Sequence, residues 1–424
     1  MRDFRREKEQ GLMGLELEKA LEAITEEILP IKDVETVSLE DSRGRILSED
    51  VKAVLDLPPF DRSPLDGYAL RSVDVASAAE QPVTLSVIDT VQAGRTSALT
   101  LTPGTAVRLM TGAPIPQGAD CVTPFERVEE HGDRITLKYS LKEHENICFR
   151  GEDSAKGSLL VRTGTRLDWR SIGALASNGF ETVRVRRRPR IAVFSTGDEL
   201  VARTVPPEAL APGKIYESNA LTLTFALAEL GFAAENHGIQ PDDPARVASF
   251  IAGPLAGYDL IVTSGGVSTG DLDIFHDALD LLEARTIFRW VKIRPGSPVM
   301  VNHVGRGRQT VLASLSGNPF AAVVNFHLFV RAILARLTLT PSLLPCQETA
   351  LMGCDYPKRS PVRRFLRATL NDGQVTLPTG DSPGMIANVA ACNVLIDVPA
   401  GTERLNKGDR VQVLRIHSNP LRAS

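Results

Sequence analysis

Residues 259–283 read DLIVTSGGVSTGDLDIFHDALDLLE: an apolar strand, then a polar glycine-rich loop, then a helix. In open α/β sheets, ligands bind outside the carboxyl ends of the strands, where such loops lie. Gly265, Gly266 and Gly270 allow backbone N–H groups to approach an anion closely. Ser264, Ser268 and Thr269 add hydroxyl donors. Asp271 and Asp273 supply hard oxygen ligands suited to a Mg2+ ion bridging phosphate oxygens. The same residues also suit a tight strand-to-helix turn with an Asp cap, and a glycine-rich loop alone does not separate the two readings.

The neighbouring sequence carries the same alternation. Strand IAVFSTG (191–197) leads to helix SNALTLTFALAEL (218–230), closed by Gly231, and a short strand near Ala233 leads to helix DPARVASFIAGPL (243–255). A hairpin, PVMVNHV–GRGR–QTVLASL (298–315), leads into a last helix, where Asn318 suits the N-cap and Pro319 the first helical position. Strands alternating with helices predict a parallel sheet with helices on both faces.

Three more polar segments fall at element boundaries in this region. STGDEL presents Ser195, Thr196, Gly197 and Glu199, although Asp198 or Glu199 equally suits a helix start. SGNP presents Ser316, Gly317, Asn318 and Pro319 at a helix N-terminus, itself an anion site, although Asn318 alone reads first as a cap. RPGSP, Arg294–Pro298, is stiffened by two prolines, and Lys292 and Arg294 can face a phosphate or an oxyanion.

Elsewhere the pattern differs. Leu17, Leu21, Ile24 and Ile28 fall on one face of a helix over 15–29. From about 55 to 150, short apolar runs such as VTLSVI, AVRLM and RITLKY are broken by Gly, Pro, Asn and Asp, which predicts a mostly β unit. The loops DRSPLDGYA (61–69), RLMTGAPIPQGAD (108–120) and RGEDSAKGS (150–158) carry Asp61, Asp66, Thr111, Glu152 and Asp153; from first principles they read as solvated turns. SIGALASNGF (171–180) predicts a short helix closed by Gly179. The basic run Arg184–Arg190 reads as a solvated connector. Beyond 345, the hairpin FLRATL–NDG–QVTL and the strands NVLIDV and RVQVLRI predict a small β domain.

A net charge of −4 over 424 residues argues against a general nucleic-acid binder. Five cysteines, none in a C-x-x-C pair, argue against a disulfide framework or a structural zinc, and suit reduced thiols in a cytoplasmic protein. The start, MRDFRREKEQ, lacks the apolar core of a signal peptide. The most apolar stretch, Phe320–Leu337, is interrupted by Asn325, His327, Arg331 and Arg336, so no membrane span is expected. No G-x-S-x-G elbow or H-x-x-x-H spacing occurs. Hydroxyls, carboxylates, backbone amides and a few cations suit a phosphorylated ligand with a hard divalent metal.

The motifs taken together resemble the molybdopterin molybdenumtransferase family, which includes the E domain of gephyrin. The matching stretches are LEDSRGRILSEDV, DRSPLDGYA, RLMTGAPIPQGAD, RGEDSAKGS, IGALASNGF, RPRIAVFSTGDELV, IYESNA, TSGGVSTGDLD, RPGSP and SGNP, in the family's order over about residues 36–320. The resemblance implies an elongated α/β and β multidomain chain. A mixed domain is made of 15–54 and 151–188, with a β domain, 55–150, inserted in it. A molybdopterin-binding-type α/β domain spans 189–340, and a β-barrel domain spans 345–418.

It further implies a homodimer that inserts molybdate into adenylated molybdopterin, releases AMP, and uses Mg2+. The adenylating enzyme and apo-molybdoenzymes would be partners. Carried over by motif, Asp61, Asp66, Thr111 and Asp153 would line the cleft from one side. Glu199, Asp271, Asp273 and the 316–319 loop would line it from the other, with Asp271 and Asp273 on the metal and Asp273 also catalytic. Ser264, Gly265 and Gly266 would cradle the pterin phosphate, with Ser195, Thr196, Gly197, Ser268 and Arg294 as further contacts. The sequence departs from the family in places. Ser316 stands where Pro is usual, Arg294 and Ser297 replace the lysines of K-P-G-K-P, and Arg62 replaces the Asn of D-N-S. A divergent, non-catalytic molybdopterin carrier is the alternative to an active transferase.

Overall fold

The computed structural model describes residues 12–267, 274–305, 310–380 and 384–416. They fall into two compact units. One is formed by the chain up to 35, by 44–46, and from 186 onward; the other by 36–43 and 47–185.

The first unit is built on a seven-stranded sheet with the order Met13–Leu15, Arg285–Val291, Met300–Val304, Thr310–Leu315, Leu260–Ser264, Ile191–Thr196, Ala234–Gln240. Six of these strands run one way and Met300–Val304 runs against them. The central strands are buried along their whole length, because helices cover both faces. On one face Leu17–Glu27, Asn219–Glu229 and Pro319–Thr338 bring Ile24, Leu223, Leu227 and Phe329 against Ile191, Val193 and Val262. On the other, Pro244–Ala252 and Ile274–Leu281 bring Val247, Ile251, Phe275 and Leu279 against Ala192, Phe194 and Ile261.

Glycines at Gly231 (φ +88°) and, in the second unit, Gly179 (φ +81°) follow helix ends in the left-handed region, as their positions in the sequence predict. The apolar span Pro319–Thr338 is long enough to cross a membrane by length and composition, but it is mostly buried in this core. It is α-helical over Pro319–Asn325, widens to a π turn over Phe326–Val330, and returns to α over Arg331–Thr338.

Two placements differ from the sequence expectation. The opening helix packs in the α/β core, preceded by an edge strand, Met13–Leu15, parallel to Arg285–Val291. Residues 36–43 and 47–54 lie in the other unit. The basic run is not a freely solvated connector, because Arg187 makes a bidentate pair with Asp259 (2.8 and 2.9 Å) and also reaches Asp33 at 3.1 Å. Hydrogen bonding to Asp259 is the main cause that raises the Arg187 pKa above its ordinary value.

The first unit ends in a closed five-stranded barrel of Gln347–Met352, Arg363–Asn371, Gln374–Thr376, Val394–Val398 and Arg410–Arg415. Closure comes from Arg363–Asn371, which pairs with both Gln374–Thr376 and Val394–Val398. The NDG hairpin forms as the turn chemistry predicts, with Asp372 and Gly373 both at positive φ, 46° and 77°. A two-residue strand, Ile293–Arg294, leaves the α/β sheet region and pairs in parallel with Arg363 and Arg364 of the barrel.

In the second unit, Val51–Lys52 pairs with Leu159–Val161, and Leu39, Leu47, Val161, Leu175, Val183 and Val185 share one core. The chain between them forms a six-stranded sheet in the order Cys121–Pro124, Gly67–Leu70, Thr105–Leu109, Val83–Val91, Arg134–Leu137, Glu129–His131. Asp168 caps helix Trp169–Ser177, accepting from the N–H groups of Arg170 and Ser171, while the Ser171 hydroxyl accepts from the Asp168 N–H.

Candidate functional site

In the first unit, the carboxyl ends of three adjacent parallel strands place Ser195, Thr196 and Gly197 beside Ser264, Gly265 and Gly266, and these beside Ser316 and Gly317. The loops are joined by side chains. The Ser264 hydroxyl donates to the Ser316 carbonyl at 3.0 Å. Asn219 Nδ2 reaches both Ser264 Oγ (2.8 Å) and the Gly317 carbonyl (2.7 Å). Glu217 accepts from the Ser195 hydroxyl (2.8 Å) and from the Ala220 N–H (2.6 Å), which fixes the start of helix Asn219–Glu229. Gly265 and Gly266 are required here. A Cβ on Gly265 would lie 2.1 Å from the Thr196 carbonyl oxygen, and one on Gly266 would lie 2.7 Å from Thr196 Oγ1. The packing leaves Gly265 and Gly266 half-buried at the strand end, where an anion can approach the Gly266 N–H.

Glu199 is exposed at this edge, near Asp198 and Asp242. Burial, with the charges of Asp198 and Glu199 added, pushes the Asp242 carboxyl above its ordinary value; the Asp198 N–H opposes this. Ser268, Asp271 and Asp273 lie outside the described residues. Among the described residues no group of three or more His, Cys, Asp or Glu forms a metal site.

Beside the Ser316–Pro319 loop, between the α/β domain and the barrel, lies a cavity of ≈ 720 Å³. The volume is that of a small-molecule site. Arg294, Lys358, Arg364 and Arg367 line it, and no carboxylate does so among the described residues. Strand pairing puts Arg294 next to Arg364, whose Nη1 donates to Tyr356 Oη at 2.5 Å. Arg367 is buried, lies over the Phe320 ring at 4.6 Å, and donates to the Met385 carbonyl at 2.7 Å. Ser297 contributes no charge, and its hydroxyl is turned to the Val291 carbonyl (2.8 Å). Asn318 occupies the N-cap position before Pro319, but its side chain makes no capping bond and stands exposed at the cavity wall. Helix capping therefore does not account for it.

The second unit gathers its own set. Asp66 Oδ1 accepts from the Thr111 N–H (2.6 Å) and from the Thr111 hydroxyl (2.8 Å). These two bonds, and then the Arg108 charge, hold the Asp66 carboxyl below the usual range. Asp61 Oδ1 accepts from the Arg150 N–H at 2.7 Å. Reciprocal backbone bonds between Arg62 and Cys148, and between Ser63 and the 112–113 turn, stitch the three loops together. Asp153 lines a cavity of ≈ 460 Å³ with Arg62, Cys148 and Glu152. The four acid and hydroxyl candidates thus sit on loops fastened to one another, not on independent solvated turns.

Sequence reasoning missed Glu217, Asn219, Asp242, Asn325 and the barrel cations. The first two lie within IYESNA, where polar residues interrupt an apolar pattern. Arg364 and Arg367 lie in a strand that reads as ordinary β sequence.

Three family models match the chain in order: MoeA N-terminal region (domain I and II) over 15–179, probable molybdopterin binding domain over 192–336, and MoeA C-terminal region (domain IV) over 349–416. The molybdopterin molybdenumtransferase of Staphylococcus epidermidis is 34% identical over 410 residues, 96% of each chain. That of Bacillus subtilis is 38% identical over 395 residues, 91% of this chain and 90% of its own. The crystal structure of a molybdopterin biosynthesis MoeA protein from Pyrococcus horikoshii is 30% identical with a TM-score of 0.82, covering 96% of this chain and 100% of that one. With three domain models in register and this identity over nearly its full length, the chain belongs to the molybdopterin molybdenumtransferase family of molybdenum-cofactor biosynthesis enzymes.

Proposed function

We propose that this chain inserts molybdate into adenylated molybdopterin and releases AMP, with Mg2+ required. The observation that carries this reading is the cationic cavity beside the glycine-rich edge, with Arg294 and Arg364 held as strand partners. Two arginines on paired strand positions lining one cavity, with no lining carboxylate among the described residues, suit a tetrahedral dianion, since charge-assisted N–H donors are the strong partners of oxyanions. The Gly265 N–H is already bonded to the Leu315 carbonyl (3.2 Å), so the Gly266 N–H takes the pterin phosphate, and the hydroxyl and amide bonds of Ser264 and Asn219 hold that loop against Ser316 and Gly317. Glu199, Asp61, Asp66, Thr111 and Asp153 are the proposed catalytic groups of this chain. In the reaction an oxygen of water or of molybdate attacks the phosphoanhydride, AMP leaves with its phosphate, and the dithiolene sulfurs displace a molybdate oxygen, which leaves as water with the thiol protons.

Glu199 and Asp242 offer hard oxygens of the kind that suits Mg2+; the sequence candidates Asp271 and Asp273 lie outside the described residues. When bound, the ion would offset negative charge on phosphate oxygens. We also propose a cytoplasmic homodimer that receives its substrate from an adenylating enzyme and passes the cofactor to apo-molybdoenzymes. All five cysteines are unpaired, which supports a reducing compartment.

The neutral Ser297 favours one second reading, a carrier that binds molybdopterin without chemistry. Incubating pure protein with adenylated molybdopterin, molybdate and Mg2+ separates the two. Molybdate-dependent AMP release supports the transferase; ligand retention without AMP supports the carrier.

A further inference from the structure

Asn325 is fully buried within the otherwise apolar helix segment Phe320–Val330, apart from His327. An amide in such a place is costly unless both its ends are satisfied. They are. Asn325 Oδ1 accepts from the Ser316 N–H at 3.3 Å, and Nδ2 donates to the Gly296 carbonyl at 2.8 Å. Only this orientation of the amide works, since Ser316 offers an N–H and Gly296 a carbonyl. The fit to Gly296 is close: its φ is +92°, and a Cβ there would come within 2.5 Å of Asn325 Nδ2. A leucine at 325 would fill the same core without these requirements, so the amide is there for the loops it holds. Both loops line the cationic cavity, one through Arg294–Pro298 and the other through Ser316 and Asn318. The bond to Ser316 also depends on the departure noted in the sequence, because a proline at 316 has no N–H to offer.

We propose that Asn325 is the positioning residue of the cavity. From inside the core it sets the spacing of the Arg294–Pro298 and Ser316–Pro319 loops, and thereby the placement of Arg294 against Arg364. The proposal rests on the reading of the cavity as the oxyanion site.

The test is calorimetric titration of inorganic molybdate into the full-length chain, with thermal unfolding run in parallel. The variants are Asn325→Leu, which loses both bonds, Asn325→Asp, which loses only the donor to Gly296, and Arg294→Ala as the cavity control. Asn325→Leu is expected to weaken molybdate binding by about tenfold, the worth of a buried hydrogen bond or two. Asn325→Asp should weaken it as well, and Arg294→Ala at least as much. A purely structural role would lower Tm and leave the affinity of the folded protein unchanged. Wild-type affinity in a folded Asn325→Leu, while Arg294→Ala weakens binding, overturns the positioning role alone. No molybdate binding by wild type, or none lost in Arg294→Ala, overturns the cavity reading and this proposal with it. If Asn325→Leu does not fold, Asn325→Asp decides: a loss of affinity supports the role and wild-type affinity refutes it.

Discussion

Arg294 and Arg364 are strand partners, paired in parallel where the α/β domain hands over to the barrel. Like charges in register repel, and a bound oxyanion between them converts that repulsion into attraction. Molybdate should therefore stabilise the folded chain. At a hundredfold excess over Kd the gain is about 2.7 kcal/mol, read as a rise in Tm. Arg364→Ala should largely abolish the molybdate-dependent rise. An equal rise in the variant would place the ion elsewhere.

The glycine-rich edge makes a sharper steric prediction. Gly265→Ala forces a Cβ to within 2.1 Å of the Thr196 carbonyl at a φ of +93°, so it should cost more than about 2 kcal/mol. Gly317→Ala meets nothing nearer than 3.4 Å and should change stability by no more than about 0.5 kcal/mol. Urea unfolding of the pair checks the contrast.

Arg187 is the polar anchor at the entrance of the α/β domain. Its side chain is 24% exposed and that of Asp259 12%, so the bidentate pair is partly shielded from water. Arg187→Ala leaves Asp259 with its backbone contact to Arg190 and without its main partner, and should cost about 2 kcal/mol in denaturant unfolding. A cost near zero would mean that the charge run is a solvated connector after all.

The Asp168 cap gives a pH signature. Hydrogen bonding from Arg170, then from the Ser171 N–H, holds its carboxyl at about 2. A carboxyl depressed in the folded state contributes fully above its unfolded value, about 3.9, and the contribution is lost as pH falls through the folded value. Asp168→Asn should therefore lower Tm at pH 7, with the gap closing between about pH 4 and pH 2. A gap that stays constant across that window would contradict the assignment.

The α/β segment was legible because its signals are local. Apolar runs, Pro319 at the first helical position, and Gly231 mark elements within a few residues of themselves. The hairpin of the C-terminal β domain followed from turn chemistry at Asp372–Gly373, whereas the barrel came only from the family resemblance. What could not be read depends on distant pairing. Met13–Leu15 finds its edge beside Arg285–Val291, and the opening helix finds its partners in the α/β core. Arg187 finds Asp259, and Arg364 becomes a site residue only because Ile293–Arg294 crosses to its strand. The loops of the second unit show the same limit. Asp66 reads as a turn residue until Thr111, brought in from another loop, donates to it twice.

In the proposed reaction the cationic cavity delivers molybdate to the adenylated pterin. The most direct measurement is steady-state AMP release by wild type and Arg364→Ala, with molybdate and adenylated molybdopterin varied in turn at saturating Mg2+. AMP release is expected only when molybdate is present, with a KM for molybdate raised at least about tenfold in Arg364→Ala and a KM for adenylated molybdopterin changed by less than about twofold. AMP release that ignores molybdate, or an Arg364→Ala variant with the wild-type KM for it, would rule out the cavity as the molybdate site.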